Sequence, residues 1–313
     1  MIKIKTLNKK SQAEYAWLFS IIVGAMILFL AIFFAGKLFK TGTFLTETEI
    51  LRNFDIILNP FSSVGSIASL TLSRPVEMPV KTEMKFECSS SITNEGEKIS
   101  LREIDKTRGE WTSYTIKNKY IFANTTIAGK RFWTFSKPFE LPWRVDDLIY
   151  VISENYCFVT PSAEMGKELS MINASTITVA SDRNGCDNNS KKVCFPGDLS
   201  ICDVSVTGNT VTKKGQPSLS YVGDALMYAA IFSDKTVYGC NIQRLVKRLA
   251  TQTEIFSGQA QILKMQGCDT SNLINALEAF KTALASTQVI SDLASFAAQA
   301  KNADSYNCPI IKR

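Results

Sequence analysis

Between Tyr15 and Gly36 the chain reads YAWLFSIIVGAMILFLAIFFAG, twenty-two residues without a charge or a proline. A helix of that length, at about 1.5 Å per residue, is about 33 Å long and can cross a hydrocarbon core of about 30 Å. A secretory signal peptide has a shorter apolar region, about 7–15 residues, with small residues at its exit. Here bulky Ile32-Phe33-Phe34 precede Ala35-Gly36-Lys37. A buried soluble helix this long would need polar punctuation. The run is therefore expected to be a transmembrane anchor over residues 15–36, uncleaved or trimmed only at its N-terminus.

Lys3, Lys5, Lys9 and Lys10 precede the run, against Lys37 and Lys40 just after it. Positive charge resists translocation, so residues 1–14 are expected to be a cytoplasmic leader in a single-pass cell-membrane protein, with the C-terminal bulk extracytoplasmic. All eight cysteines, Cys88, Cys157, Cys186, Cys194, Cys202, Cys240, Cys268 and Cys308, lie beyond the run. Their even number and wide spacing suit disulfides in an oxidising compartment. A site of four converging thiolates, or buried free thiols, stay open as alternatives.

The leader MIKIKTLNKK, the polar junction Ser11-Gln12-Ala13-Glu14 and the apolar run that follows at once resemble archaeal type IV pilin-like proteins with class III signal peptides. The resemblance covers about residues 5–37. It implies cleavage near Lys9, Lys10, Ser11 or Gln12, with Glu14 near the start of the mature helix and that helix packed laterally in a filament or cluster. A cut after Lys9 makes Glu14 the fifth mature residue, as the family prefers. The family has Gly, Ala or Ser before the cut, and a cut after Ser11 makes Glu14 the third. Read from the residues alone, Glu14 lies at the membrane edge beside Lys9 and Lys10, with Tyr15 and Trp17 as interface anchors.

Beyond the run the chain has room for one large domain or two ordinary ones. Residues 37–61 form a juxtamembrane segment with an amphipathic helix over 46–59, opened by Thr46-x-x-Glu49 and closed by Pro60. From 62 to 145 a β-rich region is expected, an antiparallel sheet built from IASLTL, VKTEMKFEC, EKISLRE, EWTSYTIK, KYIFANTTI and KRFWTF, with turns at 94–96, 108–109, 117–119 and 128–129. Asp146-Asp147 read as the first turn of a helix. The rest of 146–235 is mixed α/β: a short strand CFV, a helix over 163–172, a strand STITVA, a hairpin through Gly208-Asn209 and a short helix over 224–233. Residues 236–313 are expected to fold as an antiparallel helical hairpin, with helices over 241–265 and 270–300 and a bend at Gln266-Gly267-Cys268. That geometry places Cys240 beside Cys308 and Cys268 at the far tip. The fold class is thus α+β behind a single N-terminal transmembrane helix.

The chain has no histidine, which removes Ser-His-Asp and Cys-His nucleophile systems and imidazole metal ligands. Gly-x-Ser-x-Gly, Ser-x-x-Lys, phosphate-loop and dinucleotide patterns are also missing from the sequence. Setting aside the four leader lysines and Glu14 from 35 basic and 29 acidic residues leaves 31 and 28, a nearly neutral +3. That argues against nucleic-acid binding, and Lys117/Lys119, Lys130/Arg131 and Lys213/Lys214 read as solvated turns. Asp182, Asp187, Asn188 and Asn189 lack the order of a calcium loop. Asn124, Asn173 and Asn188 open glycosylation sequons that agree with an external location. No catalytic residue, cofactor or metal site is assigned. The expected role is a membrane-anchored extracytoplasmic structural or interaction protein of the cell envelope, a pilin-like subunit on the resemblance. Its partners are then the lipid bilayer and other envelope proteins or copies of itself. An anchored hydrolase using carboxylates such as Asp146 and Asp147, or a ligand-binding receptor subunit, is the alternative.

Overall fold

The computed structural model describes residues 17–34, 74–91, 96–104, 110–172, 174–286, 290–304 and 309–311. The chain divides into two compact units, Met1–Arg52 and Asn53–Arg313. In the first, helix α1 (Trp17–Phe34) has a mean hydropathy of 2.7 and none of it is buried, so it is long and apolar enough to cross a membrane. The processing candidates Lys9, Lys10, Ser11, Gln12 and Glu14, the 46–59 helix and the IASLTL strand lie outside the described residues, as does Cys308.

The second unit is α+β. Its first sheet has the order β3-β2-β1-β5-β6-β4, from β1 (Arg74–Ser89), β2 (Gly96–Glu103), β3 (Thr112–Ile116), β4 (Tyr120–Phe122), β5 (Thr126–Glu140) and β6 (Arg144–Ile152). Alternation sets the pairing: Met84 and Phe86 of β1 face Leu101 and Ile99 of β2, all buried, while Lys85 and Glu87 point the other way and pair at 2.7 Å. The β1–β5 register slips between Glu77 and Thr82, around Pro79, which has no N–H to give to a ladder. Three expectations fail here. Ala128-Gly129 continue β5 instead of turning. Asp146-Asp147 lie within β6, because the β-branched and aromatic run Ile149-Tyr150-Val151-Ile152 favours a strand with both faces covered. The sheet is also not wholly antiparallel, since β4 joins β6 in parallel.

The second sheet has the order β12-β11-β10-β9-β7-β8, from β7 (Tyr156–Val159), β8 (Ile177–Ala180), β9 (Lys191–Cys194), β10 (Val204–Thr207), β11 (Thr210–Lys213) and β12 (Leu219–Ser220). Strands β7 and β8 run parallel through helix α2 (Ala163–Met171), as a crossover requires. β10 and β11 form the expected hairpin, with Gly208 at φ +56°. Helix α3 (Gly223–Phe232) touches β4, β5 and β6 of the first sheet and β11 of the second. Every residue from Ala225 to Phe232 is buried. A helix apolar on all sides has to be enclosed on all sides.

Helices α4 (Lys235–Met265), α5 (Ser271–Ser286) and α6 (Leu293–Ala303) complete the unit, α4 packing on α5 and α5 on α6. At the end of α4, Gly267 takes φ +94° while Cys268 N donates to Leu263 O and Gly267 N to Lys264 O. This is the paired bond pattern of a glycine-terminated helix, at the bend expected from Gln266-Gly267-Cys268. The helix expected over 270–300 is two helices. The apolar face slips after Leu284, and α6 starts a fresh stripe with Leu293, Ala297 and Ala300. Asp304 then accepts from Ile310 N at 2.9 Å and Ile311 N at 3.1 Å, seating both isoleucines in a core that runs from Tyr120 to Ile311.

Phe232 ends α3 with its ring 4.9–6.1 Å from those of Phe135, Tyr150, Tyr156 and Phe158. Phe232→Ala empties the junction of the two sheets, and urea unfolding should show a loss of about 3–5 kcal/mol. A loss below about 1 kcal/mol would mean that the junction does not carry the fold.

Candidate functional site

The cysteines divide between fastening and bracing. Cys88 of β1 bonds Cys240 of α4 across 152 residues, Cys157 bonds Cys186, and Cys194 bonds Cys202. Cys268 is also disulfide-bonded, so every described cysteine is oxidised. Cys240 was expected beside Cys308, which lies outside the described residues; its disulfide partner is Cys88, since α4 lies against the sheet and β1 supplies the sulfur. Cys157, Cys186, Cys194 and Cys202 pack together with Val159 in a small cluster of their own under the turn-rich 181–203 stretch.

Next to Cys88, a buried polar clasp joins α4 to the first sheet. Glu97 is directly opposite Cys88 in the ladder, and its Oε1 takes Arg244 Nη1 at 3.2 Å. Arg244 Nη1 also donates to Asn241 Oδ1 at 2.8 Å, and Asn241 Nδ2 donates to Ile121 O of β4 at 2.8 Å. The guanidinium lies 4.8 Å from the centre of the Tyr120 ring. Glu97 is 0% exposed and Arg244 2%. Glu97 Oε2 has no hydrogen-bond partner among the described residues. Burial pushes the Glu97 carboxyl up to about 7, against the opposing pull of Arg244 and the bond from Asn241.

A cleft of about 450 Å³ opens where the segment after β4, the second sheet and the α3–α4 junction meet. Asn124, Thr125, Tyr156, Lys191, Asp203, Lys213, Lys214, Gln216 and Asp234 line it. Asp234 caps α4, taking Thr236 N and Val237 N on one oxygen and Thr125 N on the other. Asp203 accepts from Lys192 N at 2.9 Å, and Glu154 pairs with Lys191 at 2.5 Å. Lys213 was expected in a solvated turn. It points inward instead, because it shares a strand face with buried Val211. Its Nζ donates to Ser233 O at 2.5 Å, at the end of α3. Burial, with help from the Lys191 charge and against Asp234 and Glu154, brings the Lys213 ammonium down to about 7.

The remaining sequence candidates are placed as follows. Neighbouring residues on a strand point to opposite faces, so Asp146 and Asp147 do not converge. Asp147 takes the Arg144 guanidinium at 2.7 and 2.9 Å, and Asp146 faces Arg248 at 3.3 Å. Asp182 spends Oδ1 on Asn184 N and Gly185 N in an exposed turn. Among the described residues no group of three or more Cys, Asp or Glu could hold a metal ion. The clasp and the inward lysine were not legible as sites: Glu97 and Arg244 lie 147 residues apart, and Lys213 is marked only by its parity with Val211. Comparison with known proteins finds no matching family model, no matching curated protein and no matching solved structure.

Because Glu97 holds its proton more tightly in the folded protein than in the unfolded chain, where its value is near 4.5, its contribution to stability is full below pH 4.5 and lost as pH rises through about 7. Urea unfolding across that window should show stability falling by roughly 1–3 kcal/mol, and Glu97→Gln should flatten the slope. An unchanged slope in the variant would assign it to other groups. Arg244→Met, which strands the carboxylate, should cost about 3–5 kcal/mol at pH 7 and less at pH 5.

Proposed function

We propose that this chain is a membrane-anchored structural or interaction protein of the cell envelope, with a short cytoplasmic leader, helix α1 in the bilayer and the disulfide-bonded body outside. The observation that carries the reading is the conjunction of an exposed eighteen-residue helix of mean hydropathy 2.7 with a body whose described cysteines are all oxidised. The pilin-like form of the proposal rests on the basic leader, the polar junction and Glu14, and makes α1 the element that packs against copies or other envelope proteins.

The C-terminal helices support an interaction role. We read α4 and α5 as an antiparallel hairpin whose outer face offers Ile255, Ile262 and Met265, exposed by 54%, 53% and 80%. The spacing of seven and three residues keeps them on one side of the helix. The hydrolase alternative loses its support in β6, where each carboxylate faces an arginine.

Intact mass of protein purified from its own membrane, with and without reduction, tests both parts. Loss of the leader up to Lys9 or Ser11, with a gain of two hydrogens for each disulfide on reduction, is the expected result. A full-length mass would remove the pilin-like processing and leave a plain anchor. No change on reduction would overturn the external location of the body.

A further inference from the structure

Lys213 and Lys214 are consecutive in sequence and chemically unlike. Lys214 is exposed and lies 3.8 Å from Asp203. Lys213 reaches into the cleft, and among the described residues no carboxylate comes within ion-pair distance of it. The acids nearby are already engaged. Asp234 holds three backbone amides, Asp203 holds Lys192 N, and Glu154 holds Lys191. Tyr156 lines the wall as an apolar ring whose hydroxyl burial keeps protonated. Among the described residues, the acceptor on Lys213 Nζ is the neutral carbonyl of Ser233. Burial, with the Lys191 charge, lowers the Lys213 ammonium to about 7 and so favours the free, nucleophilic amine.

We propose that Lys213 is a carbonyl-reactive amine and that the cleft binds a small oxo acid on it as a Schiff base. The volume of about 450 Å³ lies within the range of small-molecule sites. Lys191 and Lys214 at the rim, each shared with a carboxylate of the protein (Glu154 at 2.5 Å, Asp203 at 3.8 Å), are the cations an incoming carboxylate meets. In the step itself the Nζ lone pair adds to the carbonyl carbon and a proton passes from nitrogen to the former carbonyl oxygen, giving a carbinolamine. Loss of water leaves the C=N bond. No oxidant or reductant is consumed, and hydrolysis reverses the step. The proposal is independent of where the anchor resides.

The test is reductive trapping on the full chain in detergent, with pyruvate and cyanoborohydride at pH 7, followed by peptide mapping. Hydride converts the imine to a stable secondary amine. Lys213 should be modified at least about tenfold faster than Lys214, which is exposed and shared with Asp203. The rate at Lys213 should rise through a midpoint near 7. Lys191→Gln, which removes the neighbouring cation and releases Glu154, should slow it several-fold at pH 7. Modification of Lys213 no faster than Lys214, or labelling spread over the exposed lysines, would overturn the proposal. The comparison is made within wild-type protein, so it does not depend on any variant folding.

Discussion

Helix α3 has no polar side, and the rest of the body is arranged around that constraint. A ten-residue segment in which eight consecutive side chains are buried cannot lie on a surface. It needs apolar partners in every direction, and two sheets supply them: β5 and β6 from one side, β11 from another. The polar atoms that come along are few and accounted for. Tyr150 Oη donates to Ala225 O at 2.8 Å, and Tyr228 Oη donates to Glu168, which also holds Lys137. Burying these groups without partners would offset much of the gain from the rings around Phe232.

Helix α4 then works as a clasp. It touches β1 at one part of the sheet and β4, three places away in the strand order, at another, so a single helix spans four strands of the first sheet. The fastening is of mixed chemistry. Cys88–Cys240 is covalent, Glu97–Arg244–Asn241–Ile121 is a buried polar chain, and Trp143 adds its ring against Phe256 and its Nε1–H to Gln252. Apolar burial sets how strongly the helix is held. The directional groups set its register, because a helix slid by one turn would leave a buried carboxylate, guanidinium and amide without partners.

Local pattern was readable where one face of an element is wet. Strict alternation in Met84, Phe86 and Cys88, and the 3.6 spacing of Leu273, Leu277, Phe280 and Leu284, each led to the observed element. Reading failed where both faces are dry. Leu148 to Ile152 has no alternation to show, so Asp146-Asp147 suggested a helix start where a strand begins. Turn residues misled in the same way at Ala128-Gly129, which a long curved strand absorbs without turning. Pairings were least legible, since Cys240 has several partners compatible with its spacing and only the packing of α4 on β1 selects Cys88. Lys213 had a usable local signal, its parity with Val211, masked by the exposed lysine after it.

The bond between Cys88 and Cys240 also orders events in time. A chain made from its N-terminus has finished β1 and β2 long before α4 exists, so Glu97 must wait for Arg244, and Cys88 for Cys240, with an unsealed sheet in between. Cys194 and Cys202, eight residues apart, face no such delay. Any bond that Cys88 forms before α4 exists is therefore with a thiol that is not its own. From such a bond, Cys88 reaches Cys240 only through thiol–disulfide exchange after α4 has been made.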